Sequence, residues 1–352
     1  MHTYTFNRKG DMIKKITLLF LVAVSFNAWS QQDGYQTHFQ FNEMSFNPSY
    51  AGKVKDKMCV SLLMHQQYAG FKSELIKAAD GTAAVEPYNI GASTQFLNLS
   101  ARLFGKFGVA VNVINDKIGP QTYILPKLSL SYYNVFKNTS EISFGLYYGK
   151  MQKTLDGTKL KALSLLQNNI ADPAVPSTLV TSNMMNDLGF GIHYLNPIMN
   201  NLNIGVSATH LLEANIVDKS KSLLTPFSSI KRHFYANAAM DIPVGAGDLV
   251  IQPNLLVKYG GKLQIDVNAL AIFNEQYYGG LSFRQGDNIN LMVGFMQGDF
   301  KVGYAFDFIV NGLKPGSKTT HELFVQYCKS IKFKTKVNKY MLNPRHLKDS
   351  QY

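Results

Sequence analysis

A chain of 352 residues with 46% hydrophobic and 16% charged residues is long enough for one large domain, and its formal charge of +12 turns it toward acidic partners. Two cysteines, Cys59 and Cys328, are too few for a disulfide framework. After residue 30 no run approaches 18 apolar residues, which excludes a spanning helix from that part of the chain but not a closed barrel, whose strands hide no long apolar run.

Residues 12–30 read MIKKITLLFLVAVSFNAWS. Lys14 and Lys15 precede the apolar run Ile16 to Val24, and Ala28-Trp29-Ser30 offers a small-x-small cleavage site. That is the pattern of a secretory signal peptide over residues 1–30, with Met12 as the expected true start. No lipobox cysteine follows it. Cleavage before Gln31 removes four of the 35 basic and one of the 23 acidic residues and leaves a net charge of +9.

The segment 31–53 is apolar for a leader. It carries Phe39-Gln40-Phe41-Asn42 and then Phe46-Asn47-Pro48-Ser49-Tyr50-Ala51-Gly52. Asn-Pro favours a turn, and aromatic residues on both sides give that turn something to pack against. The segment is expected to dock in or beneath a barrel mouth, as a periplasmic or plug element.

From 54 to 330 the pattern predicts an all-β chain, a transmembrane antiparallel up-and-down β-barrel of about 14 strands. The predicted strands are 54–69, 88–98, 105–116, 121–134, 140–153, 184–195, 202–212, 233–242, 248–259, 262–271, 275–285, 287–296, 299–308 and 319–330. Phe300, Val302, Tyr304, Phe306 and Phe308 alternate with Lys301, Gly303, Ala305 and Asp307. Ile289, Leu291, Val293 and Phe295 alternate in the same way with Asn288, Asn290, Met292 and Gly294. Strict alternation over eight or more residues argues strand. The second face is small or polar, which in repeated ten-residue units is the membrane-barrel pattern. The 19 Tyr and 23 Phe suit interfacial girdles, with Tyr132, Tyr133, Tyr194, Tyr259, Tyr277 and Tyr278 near segment ends. The export signal and low charge argue against a soluble sandwich or propeller. Long links, 70–87, 154–183, 213–232 and 309–318, follow odd segments, and short ones follow even segments, as in bacterial outer-membrane barrels. Residues 158–170 have helical spacing. An Arg at Val293 or Phe306 is expected to be costly on the lipid face, and one at Met292, on the lumen face, milder.

The tail 331–352 is basic, with Lys332, Lys334 and Lys336 as candidate contacts to a periplasmic partner or anionic lipid. An exported chain does not meet genomic DNA, so no nucleic acid is expected. No catalytic, cofactor or metal constellation stands out. His193 and His210 fall on neighbouring predicted strands and could meet, but two ligands do not make a metal site. Gly189, Gly191, Gly279 and Gly280 read as strand glycines where the lumen is narrow or a strand bends. Cys59 and Cys328 fall on the first and last strands, both turned inward; two free buried thiols are the expectation over a bridge.

The motifs, taken in order, resemble the PorP/SprF family of type IX secretion membrane proteins. The Phe46–Gly52 block is the family's opening signature. It is followed by His65-Gln66-Gln67-Tyr68, where the family more often has Arg-x-Gln-Trp, then by Phe107-Gly108-Val109, Ile142-Ser143-Phe144-Gly145 and Gly279-Gly280-Leu281-Ser282-Phe283-Arg284. The terminal Pro344-Arg345-His346-Leu347 stands where the family often has Pro-Arg-Phe-Leu. The resemblance implies an outer-membrane barrel of the Bacteroidota that binds, exports or displays secreted cargo, such as gliding adhesins, carrying a C-terminal sorting domain. It also implies contact with a periplasmic lipoprotein ring. A general diffusion porin is the alternative; the inward positions, read as mostly small and neutral, argue against it. No enzymatic activity is expected.

Overall fold

The computed structural model describes residues 33–73, 76–77, 83–85, 87–160, 175–216, 228–245, 248–310 and 319–331. The expected signal peptide, Lys332, Lys334, Lys336, Pro344, Arg345 and Leu347 lie outside the described residues.

Fourteen long strands form the wall. They are β1 (Lys57–Ala69), β2 (Ala92–Leu103), β3 (Phe107–Ile118), β4 (Gln121–Val135), β5 (Glu141–Asp156), β6 (Met185–Asn196), β7 (Leu202–Thr209), β8 (His233–Ala239), β9 (Leu249–Tyr259), β10 (Leu263–Phe273), β11 (Tyr277–Arg284), β12 (Asn288–Gln297), β13 (Phe300–Ile309) and β14 (Thr319–Ser330). Each pairs antiparallel with the next, and β14 pairs with β1, so no edge is left. Closure satisfies the backbone groups that lipid cannot. The links 70–91, 157–184, 210–232 and 310–318 gather at one end, the long-loop end. Lys57 and Ser330 pair at the other, the short-turn end.

The alternation is realised as expected. Leu291 and Val293 face outward and Asn290 and Met292 inward; Tyr304 and Phe308 face outward and Ala305 and Asp307 inward. In the neighbouring pairs Tyr132-Tyr133 and Tyr277-Tyr278 only the first of each faces outward, because period two turns its neighbour into the lumen. The girdle assignment of Tyr133 and Tyr278 is therefore corrected. Of the expected helix at 158–170, the described part is a single 3₁₀ turn, Gly157–Lys159.

Cys59 stands directly opposite Cys328 in the β1–β14 register, and the two form a disulfide. The expectation of free thiols is overturned. Alternation had turned both inward, and the register brings them level. The bridge closes the barrel seam across 269 residues of sequence, a span for which chain entropy alone contributes about 5 kcal/mol. Thiol labelling of the denatured chain is expected only after reduction; equal labelling without reductant would refute the bridge.

The inner face is not mostly neutral. Arg102, Lys127, Asp187, Lys258, Asp266, Arg284, Asp307 and Glu322 are buried there. Met292 is 0% exposed, packed with Leu270, Tyr278 and Ala305. The lumen at this level is a packed core, so Met292→Arg overfills it and buries an unpaired charge. Its cost is no longer expected to be mild. Val293→Arg, at a site 49% exposed on the outer face, is expected to cost about 2–4 kcal/mol at the bilayer midplane. Heat-modifiable gel mobility reads both, and wild-type assembly of either variant would contradict this facing.

Candidate functional site

The chain fills its own barrel. Residues 33–53 run inside the lumen, from Asp33 at the long-loop end to Lys53 at the short-turn end, as three short 3₁₀ turns (Phe39–Phe41, Glu43–Ser45, Pro48–Tyr50). Most of the segment is buried. The block Phe46–Gly52 was expected in or beneath the barrel mouth; it lies inside the barrel, in the short-turn half.

Every member of that block has a physical task. Asn47 caps the Pro48–Tyr50 turn, its Oδ1 accepting from the Ser49 N–H at 3.0 Å, and Pro48 takes the first turn position, where no N–H is needed. The Asn47 amide donates to the carbonyls of Ile192 and Val206 at 3.3 Å each, tying the turn to β6 and β7. The Tyr50 hydroxyl donates to Asn203 Oδ1 and accepts from Asn237 Nδ2, both at 2.7 Å. The Ala51 carbonyl accepts from Ser131 and Tyr133. Phe46 stacks on Tyr235 at 5.3 Å. Gly52 turns with φ +69°, in the left-handed region that favours glycine.

The wall gives way where the plug presses on it. A Cβ on Gly108 would stand 1.9 Å from the Ala51 carbonyl oxygen, and one on Gly145 would stand 2.3 Å from the Ser49 nitrogen. Gly191 makes the same room for Asn47. Of the strand glycines singled out in the sequence only Gly191 fits this turn; Gly189 faces Tyr147, Gly280 faces Leu270, and Gly279 meets only the Met292 carbonyl, at 3.9 Å.

Higher up, charge does the holding. Glu322 accepts from the backbone N–H groups of Thr37 and His38 at 2.7 Å each, and its two oxygens also meet His38 Nδ1 at 2.7 Å and His65 Nδ1 at 3.0 Å. Arg284 donates to Asp266 and to the Gln36 carbonyl. Lys127 donates to the Ser45 carbonyl at 2.6 Å. Buried charges of this kind persist only when paired.

Above the plug, at the long-loop end, lies a cavity of about 410 Å³. Asp33, Asp116, Tyr123, Lys153, His210 and His233 line it. Burial pushes the Asp33 carboxyl up, but His233, His210 and Lys258 around it outweigh that and hold it well below the usual carboxylate range. The hairpin Ala214–Ile216 with Ser228–Ile230 flanks the cavity, with Ile216 and Ile230 buried. His193 and His210 do not meet: His193 packs on Tyr50 at 4.3 Å, while His210 faces His233 and Asp33.

The family described as type IX secretion system membrane protein PorP/SprF matches residues 28–327, which take in the plug and all but the last few residues of the wall. The chain belongs to the PorP/SprF family. It is thus a membrane protein of type IX secretion, and its Phe46–Gly52 block anchors a lumenal plug. No curated protein matches it. Among solved structures, the CymD monoaromatic hydrocarbon channel is similar at 12% identity, over 83% of this chain and 93% of that one, with a TM-score of 0.46. A Pseudomonas aeruginosa FadL homologue is similar at 10% identity, over 81% and 93%, with a TM-score of 0.46. The Acinetobacter baumannii outer membrane protein Omp33 is similar at 8% identity, over 78% and 97%, with a TM-score of 0.41.

Proposed function

We propose that this PorP/SprF protein is a plugged outer-membrane barrel that holds a secreted cargo domain at its long-loop end, the cargo carrying a C-terminal sorting domain. The observation that carries the reading is the filled lumen. A barrel packed from Asp33 to Lys53 with its own chain offers partners its rim rather than a path through it. The strand ends that carry the long links all lie at one end of a rigid wall, the usual placing of a binding surface on a scaffold. By the general barrel rule this is the outer side, with the short turns facing the periplasm. The termini of the wall then emerge in the periplasm, where the basic tail with Lys332, Lys334 and Lys336 is available to a lipoprotein ring of the machine. A general diffusion porin is disfavoured by the plug rather than by a neutral lumen, since the inner face carries buried charges.

The test is affinity isolation of the tagged barrel from its native membrane. A large surface protein with a sorting domain is expected to accompany it, and shortening 158–170 is expected to weaken that retention with barrel abundance unchanged. Replacing the three tail lysines by Glu is expected to leave the cargo bound and loosen the periplasmic partner instead. Recovery of the barrel with no exported partner would overturn the reading.

A further inference from the structure

At the top of the plug three side chains from distant parts of the sequence converge. Asp33 comes from the plug, His210 from the end of β7 and His233 from the start of β8. One ligand atom from each lies within 4.8 Å of the other two. Both histidines are buried. All three line the 410 Å³ cavity.

Their surroundings are those of metal ligands. His233 Nδ1 stands 3.0 Å from the Lys231 carbonyl oxygen, which can only accept; Nδ1 therefore carries the proton, and the Nε2 lone pair is left over. That Nε2 is buried and has no hydrogen-bond partner, an arrangement that costs free energy unless something with empty orbitals or a proton meets it. His210 Nδ1 lies 3.0 Å from Asp187 Oδ2, and Asp187 is itself fixed by the Tyr147 hydroxyl at 2.9 Å. His210 Nε2 thus faces Asp33 Oδ1 at 3.0 Å. The other Asp33 oxygen accepts from the Tyr235 hydroxyl. The far atoms of His233 and Asp33 are held by a carbonyl and a phenol, and His210 Nδ1 lies at ion-pair distance from the Asp187 carboxylate without a formed hydrogen bond, an outer shell of the kind that orients ligands in metal sites.

We infer that Asp33, His210 and His233 bind a divalent transition-metal ion of the zinc class. Two imidazoles and a carboxylate make a three-ligand zinc set, with the fourth position open to the cavity. Tetrahedral zinc needs donor atoms about 3.3 Å apart. The His210–Asp33 pair is already near that spacing, and His233, whose ligand atom lies within 4.8 Å of both, draws in to complete the set. The nearby Lys258 ammonium is engaged by the Asp33 backbone carbonyl at 2.6 Å. The bound ion joins the start of the plug to β7 and β8, so it fastens the plug at the rim where a partner would sit.

The test uses the full barrel in detergent, free of any histidine tag, stripped by chelator and then given zinc alone. One zinc per chain is expected to survive desalting, and cobalt in its place is expected to give the strong visible absorption of a tetrahedral site. His233→Gln and Asp33→Asn are expected to abolish stoichiometric retention. Asp187→Asn, which touches no metal, is expected to weaken it about 10–100-fold. Heat-modifiable mobility confirms that each variant is folded. Asp33 belongs to no wall strand, so its variant remains informative if His233→Gln assembles poorly. Folded wild-type barrel that retains no zinc, or retention unchanged by Asp33→Asn, would overturn the inference and leave a simple His210–Asp33 ion pair.

Discussion

Glu322→Ala is expected to free the long-loop half of the plug and open the barrel to ions. The carboxylate is fully buried and meets four donors: two plug amides, His38 and His65. Its removal strands all four away from water. Losing one partner of a buried charge pair typically costs about 3–5 kcal/mol, and the amides add to it, since an unmade buried hydrogen bond costs about 1–3 kcal/mol. The wall does not depend on this side chain; β14 keeps its ladders to β1 and β13. The variant should therefore still insert, with residues 33–42 exposed to protease and with single-channel conductance where the wild type has little. A variant as silent and as protease-resistant as the wild type would show that Glu322 does not hold the plug.

Gly145→Val attacks the other half of the plug. A Cβ there falls 2.3 Å from the Ser49 nitrogen and 2.4 Å from the Pro48 carbonyl carbon. These are backbone atoms of a capped turn, so no side-chain rotation relieves the overlap; the Pro48–Tyr50 turn must leave its seat. Its bonds to Asn203, Asn237, Ser131 and Tyr133 go with it. Valine itself favours a strand, so the wall should close around a displaced plug. A loss of several kcal/mol in plug docking is expected, since overpacking of about 1–3 kcal/mol comes on top of the lost hydrogen bonds. Conductance together with proteolysis near residue 50 reads it. A normal, closed barrel would contradict the placement of the Phe46–Gly52 block.

The wall was legible in the sequence because period two over eight or more residues needs no tertiary information. Fourteen strands were expected and fourteen form the barrel. The β2 and β3 segments were placed too early, at 88–98 and 105–116, against Ala92–Leu103 and Phe107–Ile118. Asn98 and Ser100 are inward strand positions, and Asn98 donates to Asn42 of the plug and to Ser61. The lumen was less legible for a related reason. Its charges come one or two to a strand, and only closure gathers Lys127, Asp187, Arg284 and Glu322 around one segment. The Asn-Pro turn between aromatic residues did announce something that packs, but not on which side of the barrel mouth it packs. The disulfide depended on register, which no alternation pattern fixes between strands so far apart in sequence. Asp33, His210 and His233 were missed as a set because their meeting depends on the plug running with Asp33 uppermost.

The proposed role of this plugged barrel is to retain sorting-domain cargo at the cell surface. The most direct measurement is the amount of that cargo on the surface and in the medium in a strain lacking this chain, with the other components of the secretion machine quantified alongside. Surface cargo is expected to be lost while those components persist, the wild-type barrel to restore it, and a barrel shortened at 158–170 to restore it only in part. Unchanged cargo display in the strain lacking the chain would contradict the functional reading and leave only the fold.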